Sequence, residues 1–576
     1  MHGNPGKRVS KSFRKSLHFK VKKSKIMEKI IIRISITLYL SSLLIGSLLI
    51  GTLFTESRGS TRMTDISPIA GYISPRQHEI DVLEYRIAIS LLTATKSIEG
   101  TTEIIIVRLS DTLTGIDLNF SSRLSISSFS INGVEASYNN RGSRLTFAVP
   151  QSDTFSVKVI YSGTPEKKGF GSFVFGKYNG YDIVHTMNEP EYASTWFPCN
   201  DRPDDKAFLK LSITNDSSMV SVANGILDTV YLSGGNRTYC YKTLYPISTY
   251  LTAFYSAQYS VLSDNYTASD GSLMPLEYYV LPGYEEKAKI DFATQPKIIG
   301  VLSELFGEYP FIREKYGIAQ FLWMSGAMEH QTITGVAVPM VTGTNRFEDV
   351  LVHELAHHWW GNSVGPASWK DIWLNEGFAT YTEALYYEKV RGEDAYQRIM
   401  QESFDLYESD RLYNPENGLF SQLVYHKGAW VLAMLRYEVG DSLFFRLLKE
   451  YYLNFQYSNA STQQFQQLAE KITGKNLHKF FDQWVYSGVG IPELEFYITE
   501  DKEGFILKIE QVQKGYDQYT FSIPVMITDT KGIEHRYLVP VQEEVTKFQL
   551  SGLTSVASIE LDPDSKLLIS SIQKEL

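Results

Sequence analysis

The spacing of apolar residues changes twice along the chain, and these changes restrict the fold more than any other feature of the sequence. From about residue 77 to 280, apolar and polar residues alternate, as in EYRIAIS (84–90) and SVKVIYS (156–162), which is typical of strands with one buried face. Helical patterns such as YEEKAKIDFATQPKIIGVLSELF then dominate to about residue 490. Alternation returns after Ile491-Pro492, in ELEFYITE and GFILKIEQV. Because 576 residues are too many for one hydrophobic core, we expect a multidomain α+β protein.

The same pattern predicts where the parts of the chain begin and end. We expect an N-terminal β-sheet domain over residues 77–281, a largely helical domain over 282–490 and a C-terminal β domain over 491–576. Turn signals such as Asn132-Gly133 between the early strands indicate an antiparallel sheet. Before these domains lie a basic arm (1–33), an apolar segment (34–54) and a linker (55–76).

Charge is distributed unevenly along the chain. Eleven of the 55 Lys and Arg residues, but only one of the 65 Asp and Glu residues, fall within residues 1–33. The rest of the chain is therefore strongly acidic. An acidic body argues against a nucleic acid partner.

The apolar segment at residues 34–54, ISITLYLSSLLIGSLLIGTLF, has 21 residues and no charge, which is long enough to cross a bilayer as a helix. Lys and Arg before it would keep the N-terminus in the cytoplasm and place the body outside. The alternative is a cleaved signal peptide beginning at Met27, which would make the protein secreted or periplasmic. We favour an uncleaved membrane anchor, because no good small-x-small cleavage site follows Phe54.

The chain has two cysteines, Cys199 and Cys240. Export would permit a disulfide, but two thiols do not make a disulfide framework. We expect two separate thiols.

The stretch VLVHELAHHWWGN, residues 350–362, predicts a buried helix with a metal site. At 100° per residue, His353 and His357 lie about 40° apart on one face, and Glu354 lies beside them. His358 falls about 140° from His353, so we expect it to be structural. This H-E-x-x-H arrangement is typical of two zinc ligands with a general base between them. The alternative is a helix whose histidines are only packed and hydrogen-bonded.

A catalytic zinc site needs a third protein ligand, with the fourth position open. Glu376 in WLNEGFATYTEAL is the candidate, with eighteen residues between it and His357. Glu383, seven residues later, lies about 20° round the same face. It could accept the free imidazole N–H of a zinc ligand, although an ordinary solvated acid is the favoured interpretation. We expect one Zn²⁺ per chain.

Several motifs in order resemble the aminopeptidase N family of gluzincin metallopeptidases. HELAHHWWGN is followed by WLNEGFA and preceded by SGAMEHQT, and the likeness extends to NEPEYASTWFPCNDRPDDKA, YHKGAWVLAML and WVYSGVGIPELEF. The resemblance implies an N-terminal β-saddle, a thermolysin-like α/β catalytic domain and a C-terminal immunoglobulin-like β-sandwich. It also implies zinc-dependent removal of the N-terminal residue from peptides with a free N-terminus.

The resemblance implies a role for each motif residue. His353, His357 and Glu376 match the family's zinc ligands, and Glu354 matches its general base, which takes a proton from the attacking water and returns it to the leaving amine. Tyr425 matches the tyrosine that donates a hydrogen bond to the developing oxyanion.

Substrate recognition is implied in the same way. Glu329 and, in the N-terminal domain, Glu189 match carboxylates that hold the substrate's α-ammonium. Gly326 and Ala327 lie in a segment suited to an extended edge, where substrate backbone could pair as an added strand. His330 departs from the family, which most often has Asn at this position. We expect it to donate a hydrogen bond to a substrate carbonyl, with a charge that varies near pH 6 to 7.

A second departure from the family is length. Many relatives continue into a helical domain that roofs the site, whereas this sequence ends at Leu576. We expect a more open cleft, or one roofed by another subunit, and the sequence leaves the oligomeric state open. Alternative functions are a zinc endopeptidase, an epoxide hydrolase of the leukotriene type, and a non-catalytic scaffold.

Overall fold

The computed structural model describes residues 73–407, 410–502 and 504–574. Along these residues a region of strands is followed by a region of helices and then by a second region of strands. The prediction of a multidomain α+β protein is confirmed at this level. The predicted basic arm and membrane anchor and nearly all of the predicted linker lie outside the described residues.

The first region contains three sheets. Its strands are β1 Ile80–Leu92, β2 Ser97–Arg108, β3 Ile116–Asn119, β4 Ser125–Ile131, β5 Val134–Glu135, β6 Tyr138–Arg141, β7 Arg144–Phe147, β8 Thr154–Gly163, β9 Phe173–Tyr178, β10 Tyr181–Thr186, β11 Phe208–Asp216, β12 Val220–Ala223, β13 Ile226–Ser233, β14 Asn236–Lys242 and β15 Phe254–Ala257. They form sheets with the orders β13-β14-β11-β1-β2-β8-β4-β5, β12-β15-β10-β9 and β3-β7-β6.

The large sheet is mixed, whereas the sequence predicted an antiparallel sheet. β1 and β11 pair in parallel, with Glu84 opposite Phe208 and Ser90 opposite Thr214. Parallel neighbours need a long connection, and residues 93–207 supply it. Alternation along each strand gives the buried face but carries no information about the direction of a distant neighbour.

The second region combines a sheet with helices. Its strands are β16 Ser260–Thr267, β17 Leu273–Val280, β18 Tyr316–Phe321, β19 Ala327–Met328, β20 Ile333–Ala337, β21 Val364–Pro366 and β22 Ser458–Ala460. Its helices are α1 Glu285–Asp291, α2 Gln295–Phe306, α3 Glu348–Ala356, α4 Trp373–Arg391, α5 Glu393–Glu402, α6 Gly428–Val439, α7 Asp441–Phe455, α8 Thr462–Thr473 and α9 His478–Phe481. Single π-helical turns span Leu423–Lys427 and Asp482–Tyr486.

Five of these strands form one sheet in the order β16-β17-β18-β20-β19. β16 and β17 precede the predicted boundary between residues 281 and 282, yet β17 pairs in parallel with β18 beyond it. The predicted boundary therefore does not coincide with a boundary between sheets. β19 ends the sheet, so it is an edge strand among the described residues.

Helix α3 is shorter than the sequence predicts. It ends at Ala356, and His357 forms its C-cap. The chain continues in turns after the helix, in which the backbone N–H groups of Asn362, Ser363 and Val364 donate to the carbonyls of His357, His358 and Trp359, each five residues earlier. The bond from His357 N to His353 O, at 3.2 Å, still keeps the two histidines one helical turn apart.

Helix α4 is buried from Trp373 to Tyr387 except at Glu383, so its first turn and its middle are both out of solvent. It lies against α3, α5 and α6. Aromatic packing continues this core, since Trp360 stacks on Tyr451 with ring centroids 5.9 Å apart. The site residues on α3 and α4 are therefore held by rigid packing.

The third region has two small sheets. Its strands are β23 Glu493–Asp501, β24 Gly504–Gln511, β25 Phe521–Thr528, β26 Glu534–Val541, β27 Val545–Gln549, β28 Ser558–Leu561 and β29 Ser570–Gln573. They pair in the orders β27-β24-β23-β29 and β26-β25-β28. The prediction of a C-terminal β region is confirmed.

Two further predictions concern cysteines and the membrane. Cys199 and Cys240 are free thiols, as predicted. Within the described residues, no helix has the length and apolar character needed to span a bilayer. The segment predicted to do so, residues 34–54, is not among them.

Candidate functional site

Helices α3 and α4 bring together the three predicted metal ligands. His353 lies in the last turn of α3, His357 caps that helix and Glu376 lies in the first turn of α4. The two imidazole Nε2 atoms are 3.1 Å apart. Glu376 Oε2 lies 3.4 Å from His353 Nε2 and 3.2 Å from His357 Nε2. Three potential ligand atoms therefore converge on one point.

The other nitrogen of each imidazole is already engaged. His353 Nδ1 lies 2.7 Å from Glu383 Oε1, and His357 Nδ1 lies 3.0 Å from the Trp360 carbonyl oxygen. Both acceptors favour a proton on Nδ1, which leaves the Nε2 lone pairs facing each other and Glu376. The favoured interpretation of Glu383 as a solvated acid is wrong, because its side chain is 19% exposed and bonds His353.

This arrangement fits a zinc ion. Ligand atoms placed about 2.0–2.1 Å from a tetrahedral ion lie about 3.3 Å from each other, close to the separations found here. Glu376 Oε2 is buried and has no hydrogen-bond partner. Two imidazoles and one carboxylate form a donor set that catalytic zinc sites use.

The pKa values of the three groups reflect their mutual contact. Burial alone would raise the pKa of Glu376, but His357 and His353 lower it to about 2. Burial alone would lower the pKa of His357, but Glu329 and Glu376 raise it to about 9. For His353, burial would lower the pKa, but the nearby carboxylates of Glu376 and Glu383 outweigh it and raise the pKa well above its usual value. The ligand oxygen is therefore an anion at neutral pH.

Glu354 lies on the same helix, next to His353, and its side chain faces this cluster. It is 7% exposed, and burial raises its pKa to about 8 against the opposing effect of His353. One ligand atom each of Glu354, Glu329 and His357 also lie within 4.8 Å of one another. Glu354 is thus an unpaired carboxyl beside the three converging atoms, where a general base belongs.

Tyr425 reaches the site from the π-helical turn before α6. Its ring stacks on His353, with centroids 5.9 Å apart and planes 25° apart. Close contact between α4 and α6 sets this approach, since a Cβ on Gly377 would come 2.8 Å from Gly428 Cα. Burial and the nearby Glu376 raise the pKa of Tyr425 well above its usual value. The phenol therefore keeps its proton and can donate it to a hydrogen bond.

Glu329 and Glu189 are buried next to the same cluster. They are 4% and 5% exposed, and Oε1 of each has no hydrogen-bond partner. Glu329 Oε1 lies 4.0 Å from His357 Nδ1. Burial raises the pKa of both carboxyls, and Glu329 raises that of Glu189 further.

The cluster as a whole is rich in carboxyl groups. The charges acting most strongly on Glu189, Glu329, Glu354 and Glu376 are those of each other and of the two histidines, not of a Lys or Arg. Buried carboxylates need cations to stabilise them. The arrangement therefore favours binding of positively charged groups.

Gly326 and Ala327 lie where an extended chain could pair. Ala327 is the first residue of the edge strand β19 and lies opposite Val336 of β20. Gly326 precedes it with φ +96°, and its carbonyl accepts from Ala337 N at 3.0 Å. Glu329 is the residue that follows β19 directly in the chain.

His330 packs against Tyr255 of the first region. Its side chain has no exposed surface, and its Nδ1 lies 2.5 Å from the Tyr255 hydroxyl. Burial lowers its pKa to about 3, with a smaller effect from His185. The expectation that His330 changes charge near pH 6 to 7 is therefore wrong, whereas its contact with a substrate carbonyl stays a prediction.

Two contacts around the site were missed from the sequence. The Trp360 carbonyl orients His357, and Asn362 Nδ2 donates to the Glu329 carbonyl at 2.7 Å. Gly361-Asn362 is a turn signal that could have placed a loop here. His358 lies away from the cluster, as predicted, and its Nδ1 is 2.8 Å from the Tyr309 hydroxyl.

Family models match two parts of the chain. Residues 81–251 match the Peptidase M1 N-terminal domain, and residues 293–484 match the Peptidase family M1 domain. The second match contains α3, α4 and the three converging ligand atoms.

Curated relatives are similar over much of this chain. "Aminopeptidase 2, mitochondrial" of Saccharomyces cerevisiae is 27% identical over 385 residues, which is 61% of this chain and 39% of the relative. "Puromycin-sensitive aminopeptidase" of Caenorhabditis elegans is 27% identical over 476 residues, which is 74% of this chain and 49% of the relative. The chain thus spans about half the length of the curated relatives it matches.

Solved structures share the fold. Legionella pneumophila aminopeptidase A in complex with aspartic acid has a TM-score of 0.77 at 20% identity, covering 86% of this chain and 60% of that one. A mutant M1 zinc metallopeptidase from Deinococcus radiodurans, bound to a Tyr-Ser-Ala substrate, has a TM-score of 0.62 at 24% identity, covering 71% and 94%. At these identities the likeness shows the fold alone.

Proposed function

The chain belongs to peptidase family M1, and from this membership and the geometry of its site we propose that it is a zinc-dependent aminopeptidase. The observation that carries the proposal is the convergence of His353 Nε2, His357 Nε2 and Glu376 Oε2 beside the unpaired carboxylates of Glu329 and Glu189. A metal cation and a substrate ammonium would supply the positive charge that this cluster lacks.

Different residues of the site would carry out different steps of peptide hydrolysis. A zinc ion held by His353, His357 and Glu376 would polarise the scissile carbonyl and favour ionisation of water. Glu354 takes the proton of the attacking water and returns it to the leaving amine. Tyr425 donates a hydrogen bond to the carbonyl oxygen as that oxygen gains negative charge.

Two buried carboxylates supply the preference for a free N-terminus. An α-ammonium placed between Glu329 and Glu189 would form charge-assisted hydrogen bonds with their unpaired oxygens. A blocked N-terminus would leave these oxygens buried and unpaired, which costs free energy. Bound aspartic acid and Tyr-Ser-Ala in the two solved relatives support this class of ligand.

A panel of aminoacyl fluorogenic amides, each with its N-acetylated form, tests this proposal. We expect cleavage of the free amines, loss of cleavage after chelation and recovery with Zn²⁺. Glu329→Gln should lower kcat/KM for free amines about 10- to 100-fold, because a hydrogen bond to a charged group is worth about 1.5–3 kcal/mol. It should change the slow cleavage of acetylated substrates little.

Glu304→Gln provides the control for this experiment. Glu304 is exposed and pairs with Lys389 far from the converging ligand atoms, so its substitution should leave the panel unchanged. Equal cleavage of free and acetylated substrates would contradict the aminopeptidase assignment and favour an endopeptidase. Activity that survives complete metal removal would contradict the zinc hydrolase.

We further propose the family's architecture for the three regions. The first would be the β-saddle, the second the thermolysin-like catalytic domain and the third an immunoglobulin-like β-sandwich. The five-stranded sheet beside α3 and α4 supports the second assignment, and the four- and three-stranded sheets support the third. An experimental structure of the whole chain would test these assignments.

We also propose that residues 34–54 anchor the protein in a membrane, with the catalytic body outside the cytoplasm. The support is the sequence pattern, 21 uncharged residues after a basic arm. The full chain should stay in the membrane fraction through carbonate washing, and protease added to intact cells should degrade its body. A soluble body that begins near residue 55 would instead indicate a cleaved signal peptide.

A further inference from the structure

Lys206 is a buried amine whose hydrogen-bond partners are all backbone carbonyls, and burial lowers its pKa to about 7. Its Nζ donates to the carbonyl oxygens of Asn362, Ser363 and Ser458 at 2.8, 2.9 and 2.8 Å. Its stem lies against the second region, since a Cβ on Gly365 would come 3.1 Å from Lys206 Cε. Among the described residues no carboxylate forms an ion pair with it. The three carbonyls therefore accept the N–H groups of its Nζ.

The carbonyls that Lys206 holds belong to the loop that follows the metal-ligand segment. A second residue of the first region supports the same loop, because the Tyr250 hydroxyl donates to the Gly361 carbonyl at 3.1 Å. Three successive carbonyls, those of residues 361–363, are thus fixed by the first region. Ser458 lies in β22, which pairs in parallel with β21 at the far end of this loop.

The loop in turn holds Glu329. Asn362 is fully buried, and its Nδ2 donates to the Glu329 carbonyl at 2.7 Å. The backbone of Glu329 therefore cannot shift unless Asn362 moves with it. Lys206 is thus linked to Glu329, the proposed ligand of the substrate's ammonium group, through Asn362 alone.

We propose that Lys206 is a positioning residue for recognition of the substrate's α-ammonium, acting through the loop at residues 361–363 and Asn362 on Glu329. This inference rests on the proposed function, in which Glu329 binds that ammonium. Losing the Lys206 amine removes two of the three hydrogen bonds by which the first region holds the loop, and lets Glu329 move away from its buried position. Substrate binding then weakens, while Glu354 and Tyr425 keep their places on α3 and the π-helical turn.

Lys206→Met tests the inference, because it keeps much of the stem and removes all three donors. With the zinc-loaded protein and the free aminoacyl amide that wild type cleaves best, we expect KM to rise about 10-fold and kcat to change less than about 2-fold. Lys206→Gln retains an N–H donor and should show a smaller rise in KM. It also covers the case in which Lys206→Met does not fold.

Two controls separate positioning from general stability. Arg436→Met removes the ion pairs that the largely buried Arg436 forms with Glu388 and with the exposed Asp441, so it should lower the melting temperature without raising KM. Zinc content, measured by atomic absorption, should equal that of wild type in every variant. A fall in zinc content or in kcat that accounts for the loss of activity overturns the inference.

A double-mutant cycle with Glu329→Gln gives the deciding measurement. If Lys206 acts through Glu329, Lys206→Met should add less than about 2-fold to KM once Glu329 is already Gln. Additive effects, or an unchanged KM in the single variant, overturn this inference and leave the proposed function standing. If wild type shows no preference for free amines over acetylated substrates, the proposed function itself fails, and the inference fails with it.

Discussion

Glu354→Gln is expected to lower kcat by roughly 10²–10⁴-fold, the usual contribution of a positioned general base. Glutamine has the same shape and cannot accept a proton. Glu354 is not one of the three proposed zinc ligands, which are His353, His357 and Glu376. The zinc content of the variant should therefore equal that of wild type. KM should change little, because Glu354 accepts the proton only in the transition state and does not contribute to binding of the substrate.

Kinetics at saturating substrate, together with zinc analysis by atomic absorption, provide the measurement. Glu348→Gln is the matched control, since Glu348 opens the same helix and pairs with Arg391 away from the cluster. Its kcat should stay within about 2-fold of wild type. A Glu354→Gln variant with full zinc content and wild-type kcat would rule out Glu354 as the base.

Local spacing predicted the centre of the site well. His353 and His357 are one helical turn apart whether or not the helix continues, so the early end of α3 at Ala356 did not disturb their geometry. Glu376 could be predicted because it lies in the first turn of α4, and because the eighteen residues between it and His357 match the family's spacing. The bond between Glu383 and His353 was considered but not favoured, because the sequence around a single Glu does not show whether its carboxylate is buried or solvated.

Contacts between distant parts of the chain could not be predicted in this way. The contact of His330 with Tyr255, 75 residues earlier in the chain, was not expected. The parallel pairing of β1 with β11 and the carbonyls held by Lys206 are of the same kind. Each depends on which distant segments pack together, and neither the period nor the motifs of the sequence specify that partner.

Tyr425→Phe is expected to lower kcat by roughly 10²–10³-fold, the cost of removing one donor to a developing oxyanion. Phe keeps the ring that stacks on His353, so the metal ligands should stay in place and the zinc content should not change. KM should stay within about 3-fold of wild type, because the lost hydrogen bond strengthens only as charge forms on the carbonyl oxygen.

Steady-state kinetics on the same aminoacyl amide measure this effect, and Tyr486→Phe provides the matched control. Tyr486 lies in the other π-helical turn and packs on Tyr413, so loss of its hydroxyl should change kcat less than about 2-fold. A large rise in KM at constant kcat in Tyr425→Phe would mean that the hydroxyl binds the substrate ground state. An unchanged kcat would leave charge stabilisation to the metal alone, and the raised pKa of Tyr425 would then reflect only its burial beside Glu376.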